Sequence, residues 1–176
     1  MTLFNKIKAF EYLSHEFFKW FQEVNPGVSI EENFSKLKLI KLHFFACAVT
    51  SDSLSEGLLA QFDNFYAMPY GHVESSVYEK LGEINTITFE RNKVEIKPYP
   101  ENYFNDIPVE QLNQAIESLK KKNKSIVTYT PIQLVDLSHS WNSWITMYNL
   151  ARQLNRFSIK IPTKMIQNEN KIFILN

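Results

Sequence analysis

Four histidines, one cysteine and a scatter of serines and carboxylates are the side chains of this chain with the chemistry for catalysis or metal binding. His72, Glu74 and His139 form the set whose types suit zinc, which takes imidazole nitrogens and carboxylate oxygens. Their spacing argues against it. A helix is expected to open near His72, and residues two apart at a helix start do not share a face. No HExxH pair is present, and no serine sits in GxSxG. Cys47 lies in the apolar run Ala46-Cys47-Ala48-Val49, where a thiol is buried filler and not a nucleophile. His15 falls beside the apolar stripe of a first helix and is expected at the surface or its boundary. His43, in "KLHFFA", reads as a packing histidine. Neither GxGxxG nor GxxxxGK[ST] occurs. The residues give no catalytic, cofactor or metal site.

The local concentration of unusual residues is "FYAMPYGH", residues 65 to 72, which holds one of only four glycines. Its tyrosines, Tyr66 and Tyr70, read first as packed phenols bonded to backbone, because a buried hydroxyl needs a partner. The alternative is an exposed aromatic patch, which marks a protein interface. Trp141 and Trp144 are three apart and are expected to share a helix face in the core.

These residues need elements to position them. Leu3, Ile7, Phe10, Leu13, Phe17 and Phe21 recur at helical spacing, and Asn25-Pro26-Gly27 ends that helix. Ser29 with Glu32 makes a capping box, with Ser35 as a later start, for a helix reaching about Val49. Lys36, Lys38 and Lys41 fall off its apolar stripe and are expected in solvent. Val73, Val77 and Leu81 predict another helix after the turn. Residues 86 to 96, "TITFERNKVEI", switch to a period of two and read as a β-hairpin. Pro108 opens a helix carrying Leu112, Ala115, Ile116 and Leu119, whose basic end suits the negative helix terminus. Thr130-Pro131 starts a short helix, another spans roughly 141 to 153, and Pro162 opens a last one.

The whole is a mainly α chain, α+β by virtue of one hairpin, expected to fold as a single compact multi-helix domain over residues 1 to 176. Aromatics reach 14%, so there is enough apolar material for a sizeable core. Charges balance at 19 basic and 19 acidic, which gives no global field towards nucleic acid or an anionic membrane. A single cysteine forms no internal disulfide and fits a reducing compartment. No stretch is long and apolar enough to cross a bilayer, so a cytoplasmic location is expected.

Three stretches, "FSKLKLIKLHFFA" (34 to 46), "FYAMPYGHVESSVY" (65 to 78) and "LVDLSHSWNSW" (134 to 144), occur in an order and at a spacing that resemble the SocA-like antitoxin domain. This domain is also called the Panacea domain and is phage-associated. The matching positions are Lys41, Leu42 and Phe45; Ala67, Tyr70, Gly71, His72, Val73 and Tyr78; and His139 and Trp144. The family has proline where this chain has His72. The resemblance implies an antitoxin that neutralises a protein toxin from a neighbouring gene by stoichiometric binding. One member of the family delivers its toxin to a protease. No catalytic residue carries over. On this reading the turn is a corner between two helices, and His72→Pro is expected to be neutral or stabilising. The partner patch is expected around Tyr66, Tyr70 and the hairpin residue Phe89. Two alternatives stand beside it: an enzyme with a small-molecule pocket near Tyr70, His72 and His139, and a DNA-binding autoregulator. The latter needs a helix-turn-helix and a basic face, whereas the lysines cluster only at 120 to 124.

Overall fold

The structure, a computed structural model, describes residues 2 to 175 apart from the side chains of Leu3 and Phe4, so the expected stripe position Leu3 lies outside the described side chains. Helix α1 (Leu3–Val24) starts at Thr2, whose hydroxyl accepts from Asn5 N, and buries Phe10, Leu13, Phe17 and Phe21 as the period requires. Both serine caps are used. Ser29 caps the single turn α2 (Ile30–Asn33), and Ser35 caps α3 (Lys36–Val49).

Helix α3 is buried continuously from Lys38 to Ala48, which corrects the expected solvation of Lys38 and Lys41; only Lys36 is exposed. The reason is topological. Helices α1, α5 (Val109–Lys122) and α6 (Pro131–His139) and the strand β2 (Gly71–Glu74) all pack on α3, so from Lys38 to Ala48 no face is left for water. Lys38 lays its amine over Phe34 and Phe21, 4.4 and 5.1 Å from the ring centres.

Strand β1 (Phe65–Met68) pairs antiparallel with β2 in the register Met68↔Gly71 to Phe65↔Glu74, and β5 (Ile159–Lys160) pairs along its other edge. The expected helix after the turn shrinks to the one-turn α4 (Ser75–Tyr78). Residues 71 to 74 are strand instead: four residues are too few to display alternation, and all four are buried. Strands β3 (Ile87–Phe89) and β4 (Val94–Ile96) form the hairpin expected over 86 to 96. Helix α5 buries Leu112, Ala115, Ile116 and Leu119, with Lys120, Lys121 and Lys122 at its negative end. The capping box of α6 is complete between Thr130 and Gln133. Helices α7 (Asn142–Gln153) and α8 (Thr163–Asn168) complete the chain. Among the described residues the fold is thus eight helices with two small antiparallel sheets, mainly α with some β. No helix of the described residues is long and apolar enough to cross a membrane.

The β3–β4 hairpin is tied to α1 by one carboxylate. Glu11 is buried and accepts from Asn85 N (2.8 Å), Thr86 N (2.9 Å), Thr86 Oγ1 (3.1 Å) and Tyr103 Oη (3.1 Å). His15 Nε2 adds a bond to Thr86 Oγ1 at 2.8 Å. His15 is therefore buried, not at the surface or its boundary as expected, because Thr86, Tyr99 and Phe104 close over it. Glu11→Ala leaves two backbone amides without their acceptor. It is expected to cost about 3 kcal/mol in denaturant unfolding and to speed amide exchange at Asn85 and Thr86 before the rest of the chain. An unchanged exchange rate there would contradict the clamp.

Candidate functional site

The turn "MPYG" is the tip of the β1–β2 hairpin, not a corner between two helices. Pro69 pre-sets the backbone angle of the first central residue. Gly71 takes φ 95, a region that favours glycine. It is also crowded: a Cβ there would lie 2.9 Å from Lys41 Nζ and closer still to Ser138 Oγ.

His72 explains the crowding. It lies on an edge strand, and its N–H and C=O have no strand to pair with. Ser138 Oγ accepts the N–H at 3.1 Å, and Lys41 Nζ donates to the carbonyl at 2.6 Å. The Ser138 hydroxyl proton is then free for His72 Nδ1 (2.8 Å), which leaves Nε2–H to donate to Ser143 Oγ (2.8 Å). The ring stacks on Phe44 at 3.7 Å between centres. Burial, helped by the Lys41 amine, holds the His72 imidazole well below its usual range; burial alone pushes Lys41 well below that of an ordinary lysine. On the far side of the turn, His139 Nε2 donates to Pro69 O (3.1 Å) and Trp144 Nε1 to Met68 O (2.8 Å). Those two rings stack at 3.8 Å.

Five of the matching positions, Lys41, Gly71, His72, His139 and Trp144, therefore converge on one turn. Leu42, Phe45 and Ala67 are fully buried core. The metal set does not assemble. His72 and Glu74 lie on a strand, not at a helix start; Glu74 turns to Lys6 Nζ (3.3 Å) and caps α4 through Val77 N (2.8 Å). Trp141 and Trp144 do not share a helix face. Trp141 precedes the first turn of α7 and is buried against Phe44 and Phe173, donating to Ile172 O at 2.9 Å. Cys47 is buried beside His43 (3.5 Å), and burial pushes its thiol well above the usual range. Tyr66 is half-buried in the sheet between Val73 and Lys160. Tyr70 is 62% exposed, so it is not the packed phenol first expected.

The turn itself, through Met68, Pro69 and Tyr70, borders an open groove of about 970 Å³. Leu37, Ile40, Met68 and Val73 line it from α3 and the first sheet. Tyr70 and Tyr78 line it as well, with Phe89 from the second hairpin and Ile132 and Phe157 from later in the chain. Tyr70, Tyr78, Ile132 and Phe157 are all exposed, Phe157 by 71%. Charges in the lining are Lys36, Glu90 and Arg91. His72 and His139 do not line the groove, so Tyr70, His72 and His139 do not converge in one polar pocket. Sequence reasoning found Tyr70, Val73, Tyr78 and Phe89. It missed Ile132 and Phe157. The signal was an isolated aromatic in the polar run "LNRFSIK" and an outward isoleucine in a first helical turn. Ser138 and Ser143 were missed too, since buried serines carry no pattern.

Comparison with protein-family models, curated proteins and solved structures returns no match.

The geometry reverses the expected effect of His72→Pro. Proline removes the N–H to Ser138, both ring bonds and the stack on Phe44. The variant is expected to lose about 3 kcal/mol or more in equilibrium unfolding, and a neutral result would contradict the knot. A second expectation concerns acid. Burial lowers His15 to about 4 and His43 to about 3, and holds His72 well below its ordinary value too, against an ordinary 6.5. Below that ordinary value the unfolded chain takes up protons that the folded chain refuses. Stability is therefore fully present above pH 6.5 and is lost as pH falls, by up to about 1.4 kcal/mol per pH unit for each histidine. Thermal melts at neutral pH and at about pH 5 should show a clear drop in Tm; equal Tm values would mean that the imidazoles are not buried neutral.

Proposed function

We propose that this chain is a non-catalytic binding protein of the antitoxin type, which neutralises a protein toxin encoded beside it by stoichiometric contact at the groove. The observation that supports this most is the pairing of exposed with locked residues: Tyr70 projects into the groove while the backbone on either side of it is fastened by Lys41, Ser138, His139 and Trp144. Exposed aromatics on a preorganised backbone make strong anchors, because little freedom is lost on binding. The resemblance to SocA-like antitoxins supplies the toxin as the class of partner. Delivery of the held toxin to a protease is the same reading with one more partner, and a cytoplasmic site of action belongs to it.

The enzyme alternative asks for Tyr70, His72 and His139 around one pocket, and their positions lend it no support. The autoregulator alternative asks for a free basic face. At 120 to 124, Lys120 is already engaged by Glu23 and Glu117, at 3.2 and 3.3 Å.

Co-expression with the neighbouring gene product at varied ratios tests the proposal. Rescue of growth should saturate near equal amounts. The double variant Tyr70→Ala, Phe157→Ala should weaken the complex about thirtyfold or more at unchanged Tm. Rescue that is indifferent to both substitutions would overturn the groove as the contact.

A further inference from the structure

We infer that the partner element seated in the groove is an amphipathic acidic segment, its apolar face against Ile40, Val73 and Ile132 and its carboxylates towards Lys36 and Arg91. This deepens the binding-protein reading and rests on it.

The charge pattern carries the inference. Chain charge is balanced, 19 against 19, and several surface lysines are answered locally by carboxylates. Lys8 meets Asp106, Lys19 meets Glu16, Lys80 meets Glu83 and Lys164 meets Glu56. The cations that line the groove are not answered in this way. Lys36 is exposed, and its contact is the face of Phe89, 5.8 Å from the ring centre. Arg91 is exposed at the tip of the β3–β4 hairpin. Among the described residues neither is ion-paired. The carboxylate in the lining, Glu90, is already met by Lys93 at 3.5 Å. The groove thus carries two uncompensated cations and no uncompensated anion around an apolar floor.

Hydrocarbon and aromatic surface dominates the interior, which suits side chains spaced along a short peptide element. Basic flanks would face two like charges. Acidic flanks would gain attraction that also steers encounter and that salt screens. Two cations are too few to hold a nucleic-acid backbone, whose affinity grows with each phosphate neutralised.

The test is selection from a displayed library of random peptides about four helical turns long on the full chain. Recovered binders should be net acidic with spaced apolar residues. They should weaken about tenfold or more on Lys36→Glu with Arg91→Glu, and again when salt rises from about 0.05 to about 0.3 M. Ile132→Asp should abolish capture, with Tm confirming that each variant folds. Neutral or basic binders, binding that survives the double reversal, or no groove-dependent binder at all would overturn the inference. The two readings fail separately. Toxin neutralisation that needs Tyr70 but ignores the double reversal sinks the acidic segment and leaves the antitoxin reading. Acidic binders without neutralisation of any neighbour do the opposite.

Discussion

The backbone of His72 is the constraint on which the rest of the structure depends. An edge strand leaves an outward N–H and C=O, and burying either without a partner costs more than the bond it forgoes. This chain meets the demand with side chains from other elements: Ser138 of α6 takes the N–H and Lys41 of α3 takes the C=O. The imidazole then reaches Ser143 of α7. One residue thereby joins a hairpin to three helices. The arrangement also dictates its neighbour, since only a residue without a Cβ fits between Lys41 and Ser138 at positive φ.

A fully buried lysine is an expensive device. Among the described residues its amine has no carboxylate beside it, and burial favours the neutral form, which still donates to a carbonyl. The gain is rigidity at the hairpin tip. With Met68 and Pro69 carbonyls also held, by Trp144 and His139, Tyr70 is free to project without the turn collapsing. The groove borders the turn that the knot holds: Ile40 and Val73 of its lining belong to the core, and Tyr70, Tyr78, Ile132 and Phe157 stand in solvent.

Helix starts were the most legible part of the sequence, because caps act through local chemistry. Ser29, Ser35, Thr130-Pro131, Pro108 and Pro162 each stand where a helix begins. The second hairpin was legible because its two strands flank a polar turn. The first hairpin was not. Its strands are four residues long, and Val73, Val77 and Leu81 mimic helical spacing across a strand, a single helical turn and a short 3₁₀ segment. The lysines of α3 misled for a different reason. Helical periodicity assumes one wet face, and α3 has none from Lys38 to Ala48. Of the site, the turn and Phe89 were visible as unusual residues in unusual places. Ile132 and Phe157 were not, since only tertiary packing brings them to the same groove.

The most direct measurement is the amide exchange footprint of the full chain bound to the product of its neighbouring gene. The account predicts slowed exchange confined to the segments that border the groove, namely 68 to 73, 89 to 92, 131 to 132 and the chain around Phe157. Protection centred instead on the basic end of α5, around Lys121 and Lys124, with the groove segments unchanged, would contradict it.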